Sequence, residues 1–207
     1  MQTLVNSSLL ASQYVFIIED DQSTAKLLNI MLTQMGYITF LYSNAIDFLK
    51  VIPEVSPSIL ITDMNMTEMT GIEVQAEMAR LERTMPIIFL SGESSVPQSI
   101  TALKQGAVDF LLKPVNLQQL KAAVETAFES AMQTIQSAIN KSSLETRLMV
   151  LTPRERDVYD LMILGYNNTE ILEALSISLP TAKQYKVAVM RKLKIKSLSA
   201  LIDLDRF

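Results

Sequence analysis

Six residues able to do chemistry stand directly after short apolar runs: Glu19, Asp20 and Asp21 after VFII, Asp63 after ILIT, Ser91 after PIIFL, and Lys113 after FLL. Clustered carboxylates repel one another and favour a bound divalent cation. Mg²⁺ suits a few carboxylates because it keeps several of its waters. Such a cation neutralises an incoming phosphoryl group, Lys113 adds positive charge, Ser91 offers a hydroxyl donor, and a carboxylate held in line can attack. Singly, each residue has a simpler reading as a helix cap, a turn residue or a solvated lysine. In this order, each at the end of an apolar run, they point to phosphoryl transfer onto a carboxylate. The chain has no cysteine and no histidine, which excludes disulfides, thiolate nucleophiles, zinc sites and histidine acid–base chemistry.

The elements that must position these groups follow from the pattern around them. From Tyr14, short β-branched runs alternate with helical stretches: YVFII, a helix closed by Gly36, YITFLY, a helix through AIDFLKVI, SILIT, GIEVQAEMARLER, PIIFL, VPQSITALKQG, and AVDFLL before another long helix. Five strand and helix pairs predict an open, doubly wound α/β fold with a five-stranded parallel sheet. Ligands of such sheets sit at the carboxyl ends of the strands, where the charged residues lie.

Beyond Pro114, residues 117–148 contain no Gly or Pro and carry apolar residues at spacings near three and four. This predicts one long helix or two collinear ones joining two domains. The remainder reads as all-α, opening on LTPRE with Thr152 as N-cap, Pro153 at N1 and Glu155 at N3. From residue 149 onward nine basic residues face seven acidic ones, a balance of +2, against −6 for the rest of the chain. Lys183, Lys186, Arg191, Lys192, Lys194 and Lys196 follow one another with no acid between them, which suits a phosphate-binding face. The apolar runs are too short to span a membrane and the N-terminus has no signal-peptide pattern, so a cytoplasmic protein without membrane contact is expected.

The strings FIIEDD, TDMNMTEMTG, FLSG and GAVDFLLKP resemble the receiver domains of two-component signalling, with a flavodoxin-like fold. The resemblance implies that Asp63 is the phosphoacceptor and that Asp20, Asp63 and the Asn65 carbonyl hold Mg²⁺, with Glu19 as the supporting acid. It makes Ser91 the switch hydroxyl, Phe110 the switch aromatic and Lys113 the phosphoryl-contacting lysine. Gly36, seventeen residues after Glu19, fits the receiver spacing and leaves Asp21 to open the first helix. Thr67 stands where the family usually has proline, and Phe110 where many relatives have tyrosine.

Residues 150–204 resemble the LuxR-type helix-turn-helix of NarL/FixJ-type regulators. A helix from about Thr169 to Leu175 then braces a recognition helix that starts near Ser178, ends near Lys192 and enters the major groove. Lys183, Gln184 and Lys186 lie where base edges and phosphates are in reach, with the Thr181 hydroxyl suited to a phosphate and Arg191 adding to the basic face. Ala182, Val187, Met190 and Leu193 are expected to face the core. Ser176 and Lys194 occupy places where the family usually has glycine after a helix, which predicts left-handed backbone at both. Leu172 replaces a small alanine and Tyr185 a histidine.

The expected organisation is a tail over 1–12, a receiver over 13–130, a helical linker over 131–148 and a DNA-binding domain over 149–207. The function expected is that of a transcriptional response regulator, not an enzyme. Its partners are a sensor histidine kinase, promoter DNA and a second copy in a homodimer or higher oligomer. Leu198, Leu201, Ile202 and Leu204 are candidate dimer contacts. Two other readings fit the same residues: a DNA-binding transcription factor that ignores phosphate and uses its receiver for assembly, and a phosphate relay or sink.

Overall fold

The computed structural model describes residues 12–92 and 106–205, with side chains to Ile202. The expected tail and the helical stretch predicted over VPQSITALKQ lie outside the described residues. The chain divides into two compact units between Ile135 and Gln136.

In the first unit, β1 (Tyr14–Ile18), β2 (Ile38–Tyr42), β3 (Ser58–Asp63), β4 (Ile87–Ser91) and β5 (Asp109–Leu112) form one parallel sheet in the order β2-β1-β3-β4-β5. Helices α1 (Gln22–Gln34), α2 (Ala45–Val51) and α3 (Gly71–Arg80) lie between the strands in sequence. Successive strand residues point to opposite faces, so the apolar runs feed two cores. Val15, Ile17, Ile59, Ile61, Ile88 and Leu90 pack with Leu28 and Leu32 of α1 and with Leu120, Val124 and Ala127 of the following helix. Phe16, Ile18, Leu60 and Phe89 pack on the other face with Phe48, Val74 and Met78.

Helix α4 (Leu117–Leu148) is a single uninterrupted helix, not two collinear ones. In the second unit α5 (Pro153–Ile163), α6 (Asn168–Leu175), α7 (Leu179–Lys192) and α8 (Leu198–Asp205) close over Leu148, Val158, Tyr159, Ile171, Ala182, Val189, Leu193 and Leu201. Each of α5, α6 and α7 is capped from its own sequence. Thr152 accepts from Glu155 N–H and Asn167 from Glu170 N–H, both glutamates returning the bond to the cap. Ser178 accepts from Thr181 N–H. Such a cap contributes about 1 kcal/mol, which matters for helices as short as α6. Ser176 and Lys194 adopt φ of 52° and 57°, the left-handed backbone expected of them.

Two expectations for this unit are corrected. Val187 does not face the core: it is 67% exposed, and Val189 is buried in its place. The buried positions Ala182, Val189 and Leu193 recur at seven and four residues, and that phase turns position 187 outward. Leu201 is not a surface contact either, because it is fully buried in the unit's own core, whereas Leu198 is exposed and Ile202 half-buried. The side chain of Leu204 lies outside the described ones.

Candidate functional site

The carboxyl ends of β1, β3, β4 and β5 gather the predicted acidic site. Asp63 is the last residue of β3 and Ser91 the last of β4, while Glu19 and Lys113 directly follow β1 and β5. The strands hold these positions in register: the Met64 N–H donates to the Leu90 carbonyl, and the Lys113 N–H to the Ser91 carbonyl, both at 2.8 Å.

The Lys113 ammonium donates a hydrogen bond to Asp63 Oδ2 at 2.6 Å and makes a charge contact with Glu19 Oε2 at 2.7 Å. Glu19 and Asp63 are almost fully buried, and Asp20 is exposed beside them. One carboxylate oxygen from each of Glu19, Asp20 and Asp63 lies within 4.8 Å of the others. Burial pushes the Glu19 carboxyl up, and the neighbouring Asp63 charge adds to this against the pull of Lys113. Burial works against the Lys113 charge, but the bonds to Asp63 and Glu19 outweigh it and hold its pKa above the usual lysine value.

The remaining predicted residues take distinct places. The Asn65 N–H donates to Asp63 Oδ1 at 3.2 Å, which fixes the loop beyond β3 against the Asp63 carboxylate. Ser91 is buried, and Phe110 is half-buried against the aromatic face of the sheet. Asp21 stands apart from the carboxylate cluster as the N-cap of α1. It accepts from the Thr24 N–H at 2.7 Å, and that bond holds its carboxyl below the usual aspartate range.

Gly71 is the residue whose role the spacing did not reveal. A Cβ there would lie 2.6 Å from the Asp63 carbonyl oxygen and 2.8 Å from Phe89 Cε1, so only glycine lets α3 begin this close to the end of β3. Its presence at the end of TDMNMTEMTG was the available signal.

In the second unit, Lys183, Gln184 and Arg191 are exposed along α7, and Lys186 is half-buried at the side of that face. Thr181 is half-buried, its hydroxyl sharing a 2.7 Å hydrogen bond with the Ser178 hydroxyl. Lys192 leaves the basic run: its ammonium donates to Glu155 Oε2 at 2.6 Å and to the Val150 carbonyl at 3.2 Å. It therefore ties the end of α7 to the start of α5. The bond from Lys192, joined by the Thr152 N–H, holds the Glu155 carboxyl below its usual range.

Comparison with known proteins matches both units. Residues 15–125 match the response regulator receiver domain, and residues 149–204 the bacterial regulatory proteins of the luxR family. The response regulator protein TmoT of Ectopseudomonas mendocina is 32% identical over 188 residues, which cover 91% of this chain and 86% of TmoT. The transcriptional regulatory protein FixJ of Bradyrhizobium diazoefficiens is 33% identical over 191 residues, covering 92% and 93%. Among solved structures, response regulator StyR aligns with a TM-score of 0.71 at 31% identity over 95% of this chain and 99% of that one. Full-length FixJ from B. japonicum aligns at 0.58 and 33% identity, over 93% and 95%. No helix among the described residues is long and apolar enough to cross a membrane.

Proposed function

The chain belongs to the response regulators that join a receiver domain to a LuxR-type DNA-binding domain and regulate transcription, and from that premise we propose how its two sites act. Asp63 is the phosphoacceptor. The observation that carries this is the Lys113 ammonium 2.6 Å from an Asp63 oxygen, with the carboxylates of Glu19 and Asp20 alongside.

Three close carboxylates, one exposed to solvent, fit a hard cation that retains waters, and Mg²⁺ answers that description. Glu19, Asp20 and Asp63 would hold it, with the Asn65 carbonyl as a further oxygen. When bound, the ion supplies positive charge against the phosphoryl oxygens. A sensor histidine kinase is the donor. An Asp63 oxygen forms the new P–O bond as the P–N bond to the kinase histidine breaks. The leaving nitrogen keeps the electron pair and takes up a proton. Lys113 then holds a phosphoryl oxygen and Ser91 donates its hydroxyl, with Phe110 following that movement and altering a receiver surface that controls dimerisation or domain contact.

On α7, Lys183 and Gln184 reach base edges, while Thr181, Lys186 and Arg191 contact phosphates. A homodimer or larger assembly pairs two half-sites on promoter DNA and multiplies the modest affinity of one small domain. The cytoplasm, where kinase and DNA meet, is the place of action.

The test is DNA binding at fixed salt, with and without Mg²⁺ and beryllofluoride, for the wild type and Asp63→Asn. Affinity is expected to change with beryllofluoride in the wild type only. Equal tight binding in both states would instead favour the phosphate-independent factor.

A further inference from the structure

The outward face of α7 has an apolar centre. Positions 183, 184, 187 and 191 lie at spacings of three and four, so Lys183, Gln184, Val187 and Arg191 share one side of the helix, and all four are exposed. The opposite side is the core stripe of Ala182, Val189 and Leu193. Val187 thus stands 67% exposed in the middle of a polar and cationic surface. No Asp or Glu occurs between Glu173 and Asp203. A β-branched residue is a poor choice for an exposed helix position on propensity alone, and its burial in the fold does not explain it.

We propose that Val187 reads sequence by packing against the C5 methyl group of a thymine in the major groove. It rests on the reading of α7 as the recognition helix. The ring of Lys183, Gln184 and Arg191 fits a polyanion and not the apolar surface of a protein partner. Within the major groove, the group complementary to an isolated aliphatic side chain is the thymine methyl, the apolar element of the base-pair edges. Lys183 and Gln184 recognise hydrogen-bonding edges on either side, while Val187 distinguishes thymine from cytosine and uracil. The pairing excludes water from two apolar groups that are both exposed before binding.

The experiment uses the full chain with Mg²⁺ and beryllofluoride and the duplexes that it then recovers from a random-sequence pool, with each thymine replaced in turn by deoxyuridine, which lacks only the methyl. At one thymine per half-site the wild type is expected to lose about fourfold in affinity, equivalent to ~0.8 kcal/mol for one buried carbon. Val187→Ala should bind the thymine and uracil duplexes equally at that position. Its helix content should be unchanged, because alanine is the better helix former. Arg191→Gln, as a reference, should weaken both duplexes alike and reduce the salt dependence.

If no thymine substitution weakens the wild type, or if Val187→Ala keeps the full thymine preference, this assignment is overturned while DNA binding by α7 stands. Recovery of no duplex from the pool would overturn the recognition-helix reading along with it.

Discussion

Lys113 and Asp63, fifty positions apart in sequence, meet through a 2.6 Å hydrogen bond. The same ammonium also contacts Glu19, so one lysine offsets two nearly buried carboxylates. Lys113→Met would leave these two charges facing each other without a cation. We expect a loss of roughly 1–3 kcal/mol in receiver stability at neutral pH, less than for a fully buried pair because the lysine is partly exposed. Urea unfolding with and without Mg²⁺ measures this. The ion should raise the variant's midpoint, and Asp20→Asn in the same background should diminish that rise. An undiminished midpoint in Lys113→Met without Mg²⁺ would show that the two carboxylates do not need the lysine.

Gly71→Ala places a methyl group against the Asp63 carbonyl and the Phe89 ring. Neither is the free end of a flexible side chain, so the start of α3 has to move. Overpacking of this kind costs about 1–3 kcal/mol, and the displaced strand end should also slow phosphorylation from acetyl phosphate. Retention of both stability and phosphorylation rate would mean that α3 yields without disturbing Asp63.

Ser176 and Lys194 take left-handed backbone at helix ends with a side chain attached. Ser176→Gly and Lys194→Gly should each stabilise the second unit by roughly 0.5–1 kcal/mol, the strain relieved exceeding the added chain entropy of the unfolded state. Thermal unfolding of each variant gives the sign directly.

Glu155 is expected to contribute to the acid sensitivity of the second unit. Its carboxyl is held below the usual range by Lys192 and by the Thr152 N–H, so its folded pKa is lower than its unfolded one. Its contribution is therefore full above the ordinary glutamate pKa of about 4.3 and is lost as the pH falls through the depressed folded value. The difference in midpoint between wild type and Glu155→Gln should narrow across that acid window. A difference unchanged down to pH 3 would remove Glu155 from the acid sensitivity.

Much of this protein is legible along the chain because its governing interactions are local. Short β-branched runs bounded by turn residues predict all five strands, and the charged residues that directly follow those runs mark the site. The capping box at Thr152 is equally readable, since it is settled within a few residues, whereas the helix start at Ser178 and the left-handed turns at Ser176 and Lys194 follow from the family resemblance.

What the chain alone did not determine was decided by phase and proximity. Periodicity predicts that α7 is a helix, but which side faces inward depends on the neighbours it packs against, and that placed Val189 inside and Val187 outside. Lys192 looked like one more cation in a basic run until the fold brought Glu155 to it from thirty-seven residues away. Gly71 reads as an ordinary helix start in one dimension, and its necessity arises only from the Asp63 backbone lying where a side chain would be. Local propensity is encoded residue by residue, whereas these three depend on surfaces that exist only after distant segments have packed.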